Sequence, residues 1–399
     1  MKFIKDTGIN IISNLLIIVV VQLLTFPLFN QNENEKIFAV IIVLYGIAIL
    51  LATTLGNTLN NVRLLYNEEL DLTEKNNFFN KLFLVLLIAN GTIFLVAEIY
   101  YGLILNINFI LLLVFSCLLT SRYYMNVVFR EMLNYRKIFI LNLWVLIGYL
   151  IGLAIYLFVI EIYSIAFVMG ELLGFFYLIN NYNIKIDKNA IIDKSKAKVI
   201  RKDLYNFISI NLIINVLNYL DRFILLPIIG PAAVTVYFIG STVSKMLSLV
   251  TTPVNNVILS YLTVGKNKTQ HIFRLNIFIL IGFIPTYFII KIFSMFIISL
   301  LYKNYYQAVE EVIGLITLIC LLSIYNSILN PFVMKILSSN IIFRVQIIYG
   351  AIYLITAVLG SYYFSLRGFC IATIVSMIVK LIITNILIYK KSNFIKEAL

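Results

Sequence analysis

The polar positions of this chain are few and grouped, and long apolar stretches run between them. Twelve such stretches stand out, at roughly 9–29, 37–58, 78–100, 103–120, 138–160, 162–180, 207–229, 231–258, 272–298, 311–332, 341–364 and 368–389. A helix rises 1.5 Å per residue, so about 20 apolar residues cross a hydrocarbon core of about 30 Å. Each stretch has about that length, and the pattern predicts twelve membrane-crossing helices. The third and fourth stretches lie close together, as do the fifth and sixth, the seventh and eighth, and the eleventh and twelfth. Each of these pairs reads as a tight hairpin. Lys2 and Lys5 precede the first run, as in a signal peptide. That run is too long for an ordinary signal, and no small-residue cleavage site follows it. It reads as an uncleaved first helix.

Composition narrows the class. Of 399 residues, 62% are hydrophobic and 12% charged, against about 45–50% and about 25% in soluble domains. This excludes a soluble globular enzyme, a disordered chain and a disulfide scaffold. Twelve helices use roughly 240 residues, which leaves short loops and no room for a soluble catalytic domain. The expected fold class is all-α integral membrane.

The formal net charge of +13 changes meaning when read loop by loop. On the side that would hold both termini fall 24 of the 31 Lys and Arg residues; the other side holds Lys36, Lys303 and Arg367. Positive charge marks the cytoplasmic side, so both termini are expected in the cytoplasm. The longest cytoplasmic connection, 181–206, is basic and separates an N-terminal six-helix bundle (1–180) from a C-terminal one (207–399). Lys5-Asp6 and Lys202-Asp203 precede the first and seventh stretches at corresponding places. A six-plus-six layout is the one expected of a transporter built from parallel repeats.

Several chemistries find no support. The string Gly265-Lys266-Asn267-Lys268-Thr269 lacks the spacing of a phosphate-cradling loop. There is no GxSxG, no HExxH and no carboxylate pair at helical spacing. Glu68, Glu69, Asp71 and Glu74 read as a solvated loop. Cys117, Cys320 and Cys370 lie far apart in apolar runs and read as packing residues. The single histidine, His271, cannot by itself build a metal site. No catalytic residue, metal or cofactor is expected, and no ATP hydrolysis. The chain reads as a transporter and not an enzyme.

Charges inside the apolar stretches carry the functional signal, because such groups usually face a cavity or a partner. Asp221 and Arg222 are adjacent in the seventh stretch and point about 100° apart, so they do not pair directly. Arg222 either lines a cavity or snorkels outward. Lys245, in the eighth stretch, lines a cavity or snorkels inward. Lys380 and Glu171, in the last stretch of each half, are either helix–helix contacts or site residues. Lys291 reads as a snorkelling residue. The sum is four cations, Arg222, Lys245, Lys291 and Lys380, against two anions, Glu171 and Asp221. A positive cavity of this kind attracts an anion, above all a phosphate or pyrophosphate. The tyrosines near stretch ends, such as Tyr100, Tyr101, Tyr302 and Tyr363, read as an interfacial belt.

Residues 217–262, LNYLDRFILLPIIGPAAVTVYFIGSTVSKMLSLVTTPVNNVILSYL, resemble the seventh and eighth helices of Wzx-type polysaccharide flippases, with Asp221, Gly230, Tyr237 and Gly240 at the pattern positions. Phe129–Tyr156, with Arg130, Tyr135 and Asn142, looks like that family's approach to its fifth helix. The family belongs to the multidrug/oligosaccharidyl-lipid/polysaccharide (MOP) exporter superfamily. The resemblance implies two six-helix bundles around a central cavity lined by the first two helices of each. On that view Arg222 and Lys245 are the first candidates, and Arg63, just past the second helix, stands at the cytoplasmic mouth. The implied substrate is an undecaprenyl-pyrophosphate-linked oligosaccharide for O-antigen, capsule or a related polymer, flipped across a bacterial cytoplasmic membrane. The implied partners are that lipid-linked substrate, the bilayer and the polymerase of the same pathway; no nucleic acid is expected. Two alternatives stand beside it. One is a cation-coupled multidrug exporter of the same superfamily. The other is an integral-membrane polysaccharide polymerase or ligase, which would need a large outer loop that this sequence lacks.

Overall fold

The computed structural model describes residues 2–67, 69–102, 106–181, 192–242, 269–337 and 339–397, and all regular structure among them is helical. In chain order, α1 (Lys2–Val19) passes through a π-helical turn, Val20–Thr25, into α2 (Phe26–Asn32). A second such turn, Ala52–Asn57, joins α3 (Glu35–Leu51) to α4 (Thr58–Leu65). Then come α5 (Leu72–Tyr100), α6 (Ile107–Met125), α7 (Val127–Glu131), α8 (Tyr135–Phe158) and α9 (Ser164–Asn181). α10 (Lys194–Ile228) ends at Gly230, whose φ of 114° makes the turn into α11, residues 231–242. α12 (Thr269–Leu301), α13 (Tyr306–Glu310), α14 (Ile313–Ile336) and α15 (Ser339–Glu397) complete the chain.

Among the described residues nine helices are long and apolar enough to cross a membrane, or ten if Lys303–Glu310 and Ile313–Leu329, bent by 78°, form one broken span. α15 holds two of the predicted stretches: Phe364 and Ser365 leave helical geometry, with Ser365 at φ 51°. Gly360 and Gly368 meet across this break, where a Cβ on Gly368 would lie 2.0 Å from the Gly360 carbonyl oxygen. Each of the twelve predicted stretches falls largely on helix; the fourth is described only from residue 106 and the eighth only to residue 242.

Two compact units form. One comprises Met1–Glu33 and Val40–Tyr219; the other comprises Asn34–Ala39 and Leu220–Leu399. The boundary between these units falls inside α10. No proline or glycine interrupts the chain from Lys194 to Leu226, so the helix runs unbroken through the predicted linker's second half. Its first part belongs to the first unit's core, where Ile200 and Leu204 pack with Phe79, Phe129 and Leu178. Asn211 and Asn215 donate to Thr58 Oγ1 at 2.8 Å and Thr54 Oγ1 at 2.9 Å.

The helices are apolar on the outside. On α5, Leu84, Val85, Ile88 and Val96 are exposed, while Asn90, Phe94 and Glu98, spaced four apart, are fully buried. On α12, Phe288, Ile289, Ile292, Phe293 and Phe296 are exposed and Ser294 is buried. Such inversion suits a lipid surround, where exposed apolar side chains cost nothing and polar ones turn inward. This is a multi-pass membrane protein fold.

Candidate functional site

The buried charges of the first unit form three layers. The lowest sits where α4, α5, α6 and α7 end or begin. Helix α4 runs on to Leu65, so Arg63 lies inside its last turn and is 1% exposed. Its Nε donates to Glu131 Oε1 at 2.9 Å, its Nη2 to Asn76 at 2.9 Å and its Nη1 to the Tyr124 hydroxyl at 3.1 Å. Lys75 approaches the same Glu131 oxygen at 3.2 Å. Beside it, Arg130 donates to Asn60 at 2.7 Å and Asn61 at 2.9 Å. Arg63 is therefore a knot tying four helices together, and its guanidinium is engaged on every side.

Tyr66, just beyond α4, donates to Asp203 of α10 at 2.6 Å. That bond, with some burial, pushes the phenol up to about 12. The folded-state value is raised above the ordinary 10, so the bond's contribution is complete below pH 10. It is lost as the pH rises toward 12. Tyr66 is partly exposed, so Tyr66→Phe is expected to cost no more than about 1 kcal/mol at neutral pH. Thermal melts of both proteins should converge as the pH approaches 12; a constant difference would contradict the assignment.

The middle layer is an ion pair. Arg122 of α6 donates through Nε to Glu171 Oε2 at 2.6 Å and through Nη2 to Oε1 at 2.9 Å. Glu171 is fully buried and Arg122 is 9% exposed. Tyr45, Tyr123 and Tyr149 lie within electrostatic reach of both. Gly174, one turn beyond Glu171, leaves room for Val145 of α8: a Cβ there would stand 2.5 Å from Val145 Cγ2, and in ordinary contact, 3.6 Å, with Arg122 Cδ. Glu171 is thus a helix–helix contact. Arg122 belongs to this buried layer and not to the loop charge with which the apolar count groups it.

At the opposite end of the unit stands a cluster that the charge sum omits. Glu98 is fully buried near the end of α5, and neither of its carboxylate oxygens has a hydrogen-bond partner among the described residues. The Tyr163 hydroxyl, buried and likewise without a partner, lies within electrostatic reach of Glu98 and Glu33. Tyr156 donates to Glu33 at 2.8 Å. The Phe29 ring fixes both phenols, edge-on to Tyr156 at 5.2 Å and to Tyr163 at 6.1 Å. The sequence signal for Glu98 is a lone carboxylate inside an apolar run.

The second unit holds Asp221, Arg222 and Lys380. Asp221 and Arg222 are buried in α10. Arg222 lies over the Phe238 ring at 5.6 Å, and Asp221 is within electrostatic reach of Tyr237 and Tyr353. Phe369 packs between those two tyrosines, 5.3 Å from Tyr237 and 6.4 Å from Tyr353. Tyr353 stacks on Tyr349 at 5.8 Å, and the Lys380 ammonium stands 4.4 Å above the Tyr349 ring. Lys245 lies outside the described residues. Of the six candidates, Arg63 and Glu171 thus occupy separate pairs in the first unit, while Asp221, Arg222 and Lys380 share an aromatic-lined array in the second.

No protein-family model matches the chain, and no curated protein matches it in sequence. Its fold is that of solved MATE transporters. It is similar to an inward-facing multidrug resistance MATE family transporter of the MOP superfamily, with TM-score 0.69 and 13% identity over 96% of each chain. The outward-facing form of a multidrug resistance MATE family transporter gives TM-score 0.66 and 13% identity over 98% of this chain and 96% of that one. A Pyrococcus furiosus MOP superfamily transporter, described as having a binding pocket of reverse polarity that suggests a different function, gives TM-score 0.64 and 14% identity over 98% and 96%. The fold of these solved transporters therefore extends over nearly the whole chain.

Proposed function

We propose that this chain is a cation-coupled exporter of amphipathic compounds, working by alternating access in a bacterial cytoplasmic membrane with both termini inside. Its likeness to multidrug resistance transporters supports export. Glu98 carries the coupling. An ionised carboxylate held in a span without donors is costly. Binding a proton or a monovalent cation removes that cost. Occupancy of Glu98, with the Tyr163 hydroxyl as a second oxygen, then favours one state of the first unit over the other. The exchange needs no catalytic residue.

A second reading keeps the lipid-linked oligosaccharide flippase. It is favoured by Arg222 and Lys380, cations set among the aromatic rings of the second unit. An anionic diphosphate would meet such groups, while its lipid tail stays in the bilayer.

One experiment separates the two. Wild-type protein in proteoliposomes is expected to move ethidium faster when a proton or sodium gradient is imposed. Glu98→Gln should lose at least about tenfold of the driven rate, a change of about 1.4 kcal/mol in the barrier. Ethidium movement that ignores both gradients would sink the coupled-exporter reading. Absent ethidium movement, joined to loss of surface polysaccharide in a deletion strain that wild type restores and Arg222→Ala does not, establishes the flippase instead.

A further inference from the structure

Lys380 sits 15 residues beyond the break at Ser365 in α15 and 10 before Lys390. At 1.5 Å per residue it is well inside the span. It joins no ion pair among the described residues. Its ammonium stands against the Tyr349 ring. An ammonium so placed needs a counter-charge, because neither lipid nor aliphatic side chains solvate it.

A small cavity opens beside it. Its volume is about 20 Å³, and Asn326 of α14 lines it together with Gln346, Lys380 and Thr384 of α15. Aliphatic chains such as Leu329 and Val345 close the remaining wall. No acidic residue faces it. The donors left over can be counted. Thr384 spends its hydroxyl on the Lys380 carbonyl at 2.7 Å, and Asn326 spends one amide hydrogen on the Leu322 carbonyl at 2.9 Å. The ammonium, the second Asn326 amide hydrogen and the Gln346 amide remain. A cavity of about 10–15 Å³ already holds one water-sized species, so this one has room for a monatomic ion.

We infer that this cavity is a halide site, filled in the cell by chloride, in which Lys380 supplies the charge and Asn326 and Gln346 supply hydrogen bonds. The ion neutralises Lys380 within the span and ties α14 to the second arm of α15. The inference rests on the exporter reading, under which no diphosphate meets Lys380 and the ion is resident in one unit.

The test uses the full chain purified in detergent. Radioactive chloride binding is measured by scintillation proximity, and thermal unfolding is followed in chloride, bromide or gluconate at constant ionic strength. Wild type is expected to bind chloride saturably and to melt higher in chloride and bromide than in gluconate. Lys380→Met should lose both responses, while Lys291→Met, which removes a lysine of α12 outside the cavity, should keep them. Gln346→Leu retains the ammonium and is expected to weaken binding several-fold; it serves as the second variant if Lys380→Met does not fold. Equal responses in wild type and Lys380→Met, or in chloride and gluconate, would overturn the proposal. Displacement of chloride by equimolar orthophosphate would overturn it too, since Lys380 would then serve a phosphate and not a halide.

Discussion

Glu171→Leu is expected to destabilise the protein by about 3–5 kcal/mol, the usual cost of removing one partner of a buried ion pair. The variant leaves the Arg122 guanidinium in the interior with both of its bonds to Glu171 gone. Arg122→Met should cost a similar amount, because it strands a carboxylate that is fully buried. The double variant, Arg122→Met with Glu171→Leu, should recover most of the loss, since a well-packed apolar pair often replaces a buried salt bridge without penalty. Arg122→Lys should fall between, because a lysine cannot make the two parallel bonds of a guanidinium. Thermal melting of the four variants beside wild type in detergent decides the matter. Additive losses in the double variant would show that the two residues act separately, and a Glu171→Leu melt equal to wild type would refute the prediction.

That pair also shows where the sequence stops being readable. The twelve spans are legible because lipid demands a continuous apolar run, a local property. Helix ends are less so: apolar counting stops the second stretch at 58 and the fourth at 120, whereas the helices run to Leu65 and Met125. A helix continues past the hydrocarbon wherever nothing breaks it. The extra turns carry Arg63 and Arg122 into buried positions that the count assigns to loops. Their partners, Glu131 and Glu171, lie 68 and 49 positions away, and no local pattern announces such pairings. The sum of four intramembrane cations against two anions changes accordingly. Arg122 adds a cation that Glu171 neutralises, and Glu98 adds an anion to the first unit. Among the described residues the cationic character suggested for a cavity is then left to the second unit, where Arg222, Lys291 and Lys380 stand against Asp221. Glu98 is written in the sequence, spaced four and eight residues from Phe94 and Asn90 on the buried stripe of α5. Only burial separates it from an interfacial carboxylate two residues from a helix end.

Backbone contact, more than side-chain packing, sets the other large effect. Gly148 and Gly152 lie four apart on α8, and Gly170 and Gly174 lie four apart on α9. Small residues at this spacing let two helices approach until their backbones touch. A Cβ on Gly148 would fall 2.3 Å from the Met169 carbonyl oxygen and 2.8 Å from Gly170 Cα. On Gly152 it would fall 2.7 Å from Ala166 Cα, and on Gly170 it would enter the Tyr149 ring at 2.3 Å. The first two obstacles are backbone and cannot rotate away, so the helices must separate. Overpacking a core commonly costs about 1–3 kcal/mol. Gly148→Ala is expected at or above the top of that range, and Gly148→Val beyond it, with loss of monodisperse protein on size exclusion. Gly91→Ala is the control in the same unit: its Cβ would meet only Cys117 Sγ, at 3.9 Å, and the change should leave the melt within about 0.5 kcal/mol. The ion pair rests on the same close approach, because Glu171 follows Gly170 on α9, and a Cβ on Gly174, one turn further, would stand 2.5 Å from Val145 Cγ2 of α8. Gly148→Val should therefore weaken the Arg122–Glu171 pair as well. The double-variant recovery measured in a Gly148→Ala background should shrink, and full recovery there would show that the seam and the ion pair are independent.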